Sequence, residues 1–330
     1  MAPETIRFAT LDVFTKTLYA GNPLGVVFLP TSSTLSQDQK QRIAKEFNYS
    51  ETIFVHPVDP TTPNQQKIDI FVPDAEIRFA GHPTIGAASW VTYLGPQDDA
   101  AVAAAAKVDT LVTKAGPIPI SLRPEGDAVS ALIPHDVRIH QKRFPAAKLL
   151  LLHPSLQPHL AATLDGHGGF PVVSIVKGMA QIHVQLPSLE ALAAVGPAVG
   201  GEYVSDADVT KGGYLDEGWG IRGLVVIYFH VRGVVDQDSG KQVIRTRMVL
   251  GVEEDPATGS AASGLAALLA LDEGQKGAEY EYSFVQGVEM GRRSDIGIRV
   301  VTQSDGSGSG IKEIELSGSA VKVFEGEMRV

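Results

Sequence analysis

The chain has 330 residues and no cysteine. That absence excludes disulfides, thiolate-held metal sites, cysteine nucleophiles and paired-cysteine proton shuttles together. Concentrated positive charge is also missing. Lysine and arginine total 28 against 38 acidic residues, and the formal net charge is −10. Nucleic-acid binding needs a basic face, so no nucleic-acid partner is expected. No uncharged apolar run reaches the ~20 residues that cross a bilayer, so no membrane partner is expected. The opening Met1-Ala2-Pro3-Glu4 lacks the basic and apolar regions of a secretion signal, which leads to an expected cytoplasmic location. His56, His135, His140, His153, His159, His167, His183 and His230 show no metal-ligand spacing. No glycine-rich phosphate loop follows a strand. Neither a metal nor a cofactor is expected.

What is present is globular: 44% hydrophobic and 20% charged residues, in a length that suits two domains. Strand signals dominate, at Phe8 to Phe14, Gly25 to Leu29, Glu51 to Val55, Ile68 to Val72 and Ile118 to Leu122. A helix opens at Ser36, which has capping-box spacing to Gln39, presents Ile43 and Phe47 on one face, and ends near Asn48. Ala100 to Ala106 reads as an alanine-rich connector. Gly166 to Gly169 reads as a loop, and Ser304 to Gly310 as a hairpin tip.

Two segments interrupt the strands in the same manner. From Pro83 to Gly95, and from Pro256 to Leu271, there is no charged residue. Proline is preorganised for the first helical position. A helix that is apolar on every side must be buried on every side. Each segment is therefore expected to be a helix enclosed by its own curved sheet. The expected fold class is α+β: two pseudo-symmetric lobes, each a barrel-like β-sheet around a central α-helix. The lobes are expected at 1–135 and 136–314, with the last strand, within about 315–330, crossing back.

The two helix starts carry the candidate chemistry. A helix N-terminus offers unpaired N–H groups and about half a positive charge, so two of them facing across a cleft would hold a carboxylate. Gly86 with Ala87 and Gly259 with Ser260 leave room for a ligand near the backbone. His82 and Asp255 are expected at the two cap positions, projecting into that cleft. Asp255 alone reads as an ordinary N-cap, whereas His82 is a poor one. Glu51, between Ser50 and Thr52, leads into an apolar strand. Burial there would raise its pKa toward neutrality, the state a general acid/base at carbon needs.

Five motifs follow one another in order: Ala20-Gly21-Asn22-Pro23-Leu24, Ser50 to Val55, Phe79-Ala80-Gly81-His82-Pro83-Thr84, Glu254 to Ala261, and Gln286-Gly287-Val288-Glu289-Met290-Gly291-Arg292. In this set the chain resembles the phenazine-biosynthesis PhzF-like family, which shares the diaminopimelate epimerase fold. The resemblance implies a homodimer and a cofactor-free isomerase whose Glu51 moves a proton between carbons. It implies that His82, Asp255 and Ser260, with backbone N–H groups near Gly81 and Gly259, bind and orient a small anionic metabolite. In the phenazine enzyme that substrate is trans-2,3-dihydro-3-hydroxyanthranilate. Arg247 to Glu253 replaces a longer segment usual in relatives of that enzyme, so the resemblance carries the chemistry and leaves the substrate open. Two alternatives stand beside it: an amino-acid-type racemase or epimerase using Glu51 with Asp255, and a non-catalytic metabolite-binding protein.

Overall fold

The computed structural model describes residues 5–31, 35–95, 108–160, 168–220, 223–305 and 310–330. The alanine-rich connector lies outside the described residues, as do parts of the 166–169 loop and the 304–310 tip. The chain divides into two compact units: 1–134 with 315–330, and 135–314.

The first unit is a sheet wound around a helix. Its strands are β1 (Thr5–Val13), β2 (Asn22–Phe28), β3 (Glu51–Val55), β4 (Gln65–Val72), β5 (Ala75–Ile77), β6 (Thr110–Thr113), β7 (Gly116–Leu122) and β8 (Val129–Leu132). β1 and β2 pair antiparallel, β2 and β3 parallel, and β3, β4 and β5 antiparallel in turn. β4 pairs parallel with β6, and β6, β7 and β8 continue antiparallel. Helix α1 (Gln37–Phe47) lies on one face of this sheet and carries the capping box its sequence predicts, with Ser36 and Gln39 each bonding the other's backbone N–H. Asn48 ends it in the left-handed conformation. Ala44, Ile43 and Phe47 pack there on Ile6, Val27, Phe54 and Phe71.

Helix α2 (Gly81–Ser89) occupies the other face, and all nine of its residues are buried. It touches β1, β2, β3, β6, β7 and β8. Wider π-helical turns from Trp90 to Leu94 complete the charge-free segment. This burial is the outcome the all-round apolar pattern requires.

The second unit repeats the scheme. β9 (Arg138–Ile139), β10 (Val172–Val176), β11 (Met179–Gln185), β12 (Leu224–Val235), β13 (Gln242–Leu250), β14 (Glu253–Asp255), β15 (Glu279–Gln286) and β16 (Ser294–Thr302) surround helix α3 (Gly259–Glu273). α3 is buried from Ala261 through Ala270 and packs on β10, β11, β15 and β16. The pairings match strand for strand. β10–β11 is antiparallel, β11–β12 parallel, β12–β13 and β13–β14 antiparallel, β13–β15 parallel and β15–β16 antiparallel. β17 (Ile311–Gly318) then leads back into the first unit, where its residues from Glu315 on pair with β8. β18 (Ala320–Arg329) closes against β1.

The registers show where the repeat is strict. Lys67, Ile70, Ile77 and Gly81 in the first unit have the same spacing as Arg245, Met248, Asp255 and Gly259 in the second, judged by ladder partners and helix starts. Asp255 is thus the counterpart of Ile77, and His82 the counterpart of Ser260. This corrects the expected placement of His82 and Asp255 at equivalent cap positions. The N-caps are Ala80 and Thr258. Pro83 is the third residue of α2 rather than the first, and Pro256 precedes α3 altogether. The first helical N–H groups have no intrahelical acceptor, so proline fits the first turn as well as the chain just before it, and marks a helix start only to within about a turn.

Gly86 shows how closely α2 approaches the sheet. A Cβ there would lie 2.3 Å from Leu24 Cδ2, inside van der Waals contact. Gly→Ala in a helix interior ordinarily stabilises by about 1 kcal/mol. Here overpacking reverses the sign: Gly86→Ala is expected to destabilise by about 1–3 kcal/mol in urea unfolding. The cost should shrink in a Leu24→Ala background, because the two side chains compete for one space.

Candidate active site

Glu51 opens β3, paired in parallel register with Leu24, and the four residues after it are buried. Alternation along the strand sends Phe54 to the α1 face, so Glu51 and Ile53 point toward α2. The Glu51 side chain keeps only 16% of its surface exposed. Burial pushes its carboxyl up to about 7, against a smaller downward pull from a hydrogen bond with the Ser50 side chain.

His82, the second residue of α2, is 4% exposed. Its Nδ1 stands 3.4 Å from Glu51 Oε2. That distance is long for a hydrogen bond. α2 starts without a side-chain cap: Ala80 cannot supply one, and Thr84 turns its hydroxyl back to the Ala80 carbonyl at 2.8 Å. Gly81, also buried, brings its amide to this helix end beside His82. The N-terminal half charge of α2 and its backbone donors therefore lie at the histidine–glutamate pair.

In the second unit, Asp255 ends β14 opposite Met248. The residue before a proline is held extended, so Asp255 keeps the strand conformation and the turn leading to α3 begins after it. Its Oδ2 accepts from the Thr258 hydroxyl at 2.7 Å. Gly259 and Ser260 are the first two residues of α3, Gly259 buried and Ser260 half-buried. α3 also lacks a side-chain cap bond. The structure thus brings Glu51, Gly81 and His82 together in one unit, and Asp255, Gly259 and Ser260 together in the other.

Sequence reasoning assigned no role to Gln286, although its motif was visible. Gln286 is fully buried at the end of β15 and bonds both Asp255 and Thr258. Gly287 follows with φ +74, and a Cβ there would lie 2.7 Å from the Pro256 carbonyl oxygen. A polar residue before glycine, at the end of an apolar strand, was the available signal. Among the described residues, no group of three or more His, Asp and Glu side chains is arranged to hold a metal ion. No described helix is long and apolar enough to cross a membrane.

The sequence model of the family described as phenazine biosynthesis-like protein (PhzC-PhzF) matches residues 11–326. An uncharacterized isomerase of Mesorhizobium japonicum is 30% identical over 98% of this chain and 99% of its own. The trans-2,3-dihydro-3-hydroxyanthranilate isomerase of Pseudomonas aeruginosa is 30% identical over 97% of this chain and 98% of its own. Among solved structures, a PhzF-family protein of Bacillus anthracis aligns with a TM-score of 0.70 over 99% of this chain and 100% of that one, at 21% identity. A probable proline racemase of Agrobacterium radiobacter aligns with a TM-score of 0.54 over 98% of this chain and 92% of that one, at 13% identity. Both structural likenesses are likenesses of fold, and they agree with the α+β architecture of a sheet enclosing each central helix.

The raised Glu51 pKa has a stability consequence. Its folded value lies above the unfolded 4.5, so the folded state holds the proton more tightly. The resulting stabilisation is complete below about pH 4.5 and is lost as pH rises through about 7. Glu51→Gln mimics the protonated acid at every pH. Denaturant unfolding should find the variant and the wild type alike near pH 4. At pH 8 the variant should be more stable, by on the order of 3 kcal/mol. A constant difference across that range would contradict the burial of the carboxyl.

Proposed function

The chain belongs to the phenazine biosynthesis-like (PhzF) family and is an isomerase; from that premise we propose that it shifts a proton between carbons of a small carboxylate-bearing substrate, by acid/base catalysis and without a cofactor. The observation that carries this reading is Glu51, buried and poised near 7, with His82 Nδ1 at 3.4 Å. A carboxyl with that affinity takes a proton from carbon and gives it back at neutral pH, because neither protonation state is strongly preferred.

The steps follow from the residues. The substrate is an acid of the dihydro-hydroxyanthranilate type, the class acted on by the Pseudomonas aeruginosa relative named above. The Glu51 carboxylate removes a proton from an activated carbon. The electron pair moves through the adjacent double bond, and Glu51 returns the proton at another carbon. Nothing is oxidised or reduced overall, and the enzyme regains its starting state. His82 holds a polar group of the substrate beside Glu51. The Gly81 and Gly259 amides and the Ser260 hydroxyl are substrate-binding donors, each at a helix N-terminus, which favours negative charge. Asp255 accepts from a hydroxyl or amino group. Exclusion of water keeps the transferred proton from leaking and keeps Glu51 basic enough to act. The proposal includes a cytoplasmic homodimer, and light scattering on the purified chain tests the assembly.

With trans-2,3-dihydro-3-hydroxyanthranilate as substrate, Glu51→Gln should lose about 10²- to 10⁴-fold in kcat, the range for removal of a general acid/base, while KM changes little. The wild-type kcat/KM should rise with pH through about 7, the value to which burial moves the Glu51 carboxyl. In deuterium oxide, isomerisation relocates a double bond and alters the ultraviolet spectrum. Epimerisation would instead invert one carbon with the chromophore unchanged. Full activity of Glu51→Gln would remove the glutamate from the mechanism.

A further inference from the structure

Gln286 uses the whole hydrogen-bonding capacity of its amide, and this fixes which way the group faces. Its Nε2 donates to the Asp255 carbonyl oxygen at 2.7 Å and to Thr258 Oγ1 at 3.0 Å. Its Oε1 accepts from the Thr258 N–H at 3.2 Å and from the Tyr228 hydroxyl at 3.0 Å. Turning the amide over would set its donors against the Thr258 N–H and its oxygen against the Asp255 carbonyl. The Thr258 hydroxyl accepts from Gln286, so its one hydrogen is available for Asp255 Oδ2, 2.7 Å away. The bonds therefore run in one direction, from the Tyr228 phenol through Gln286 and Thr258 to a carboxylate oxygen.

The supports of this chain are rigid. Tyr228 on β12 and Gln286 on β15 have no exposed surface. The Tyr228 hydroxyl also lies 3.1 Å from Thr246 Oγ1 on β13, which is equally buried. Gly287, with no Cβ to meet the Pro256 carbonyl, lets the end of β15 close on the 255–258 turn. Three strands thus hold one short turn, and that turn presents Asp255. Chains of hydrogen bonds in a dry interior polarise one another along their direction, here toward the carboxylate.

We infer that Tyr228, Gln286 and Thr258 are positioning residues for the isomerase reaction, holding the Asp255 carboxylate as an oriented acceptor for the substrate's hydroxyl or amino group. The inference rests on the functional reading above and deepens it. The three residues act through Asp255. Without the Thr258 hydroxyl the Asp255 side chain loses the 2.7 Å bond at Oδ2, and with it the orientation in which it receives the substrate group.

The test uses the full chain and trans-2,3-dihydro-3-hydroxyanthranilate. Thr258→Val removes the hydroxyl at nearly constant shape, Thr258→Ser retains it, and Tyr228→Phe removes one of the four bonds that orient Gln286. Circular dichroism melting confirms that each variant is folded. If Thr258→Val does not fold, Tyr228→Phe serves in its place, with wild type as its reference. The expected result is a loss of at least about tenfold in kcat/KM for Thr258→Val, taken mainly in KM. Thr258→Ser should stay within about threefold of wild type. In an Asp255→Asn background, Thr258→Val should add less than about twofold, because its effect passes through the missing carboxylate. Wild-type kinetics in both Thr258→Val and Tyr228→Phe would overturn the inference alone. So would a loss in the Asp255→Asn background equal to that in the wild type. Absence of turnover by the wild type would overturn the functional reading, and this inference with it.

Discussion

A carboxyl group kept out of water is costly when charged and reactive for the same reason. Glu51 sits where β3 begins, so its backbone is fixed by the parallel ladder to β2 and its side chain faces the buried helix α2. That burial raises its proton affinity to about 7, and the proposed chemistry uses that value. The rest of the first unit maintains the condition. An uncharged helix fills the sheet, His82 closes over the carboxylate, and the glycine at 86 lets the helix come near enough to exclude solvent. Stability is given up at this position above neutral pH, which is a common cost of a strained or desolvated functional group.

The two units share one plan and use it differently. Their strands pair in the same order and the same directions, and the spacing from the β4 or β13 strand to the helix start is identical. At corresponding positions stand Ile77 and Asp255, and His82 and Ser260. The proposed acid/base chemistry therefore falls in the first unit, and the second offers an aspartate and a hydroxyl. A polar turn needs supports that an apolar one does not. Asp255 is accompanied by Thr258, Gln286 and Tyr228, all satisfied by hydrogen bonds among themselves. Neither α2 nor α3 has a side-chain hydrogen bond at its N-cap.

Several features were legible in the residues. The charge-free segments after Pro83 and Pro256 required burial, and they are buried through Trp90 and, half-buried Ser260 apart, through Ala270. Ser36 and Gln39 specified a capping box, and Asn48 the end of α1, because those signals act within one turn of chain. The apolar run after Glu51 foretold its raised pKa. The motif order pointed to the PhzF family, which the family match bears out. The matched appearance of His82-Pro83 and Asp255-Pro256 was misleading. Pro83 lies inside α2 and Pro256 three residues before α3, so aligning the two prolines shifted the repeat by five residues.

The sequence by itself determined the period of its strands, the two helices that must be enclosed, the absence of thiol chemistry and the presence of an acid at the edge of an apolar run. These are local properties, set by side-chain size, charge and turn residues along a few consecutive positions. Only the tertiary structure decided that His82 rather than another polar group stands 3.4 Å from Glu51, and that Gln286 reaches back to the turn of Asp255. Both depend on strand register. Positions far apart in the chain are brought together by ladders of backbone hydrogen bonds, and a slip of one residue in any ladder would turn the side chain to the opposite face of the sheet.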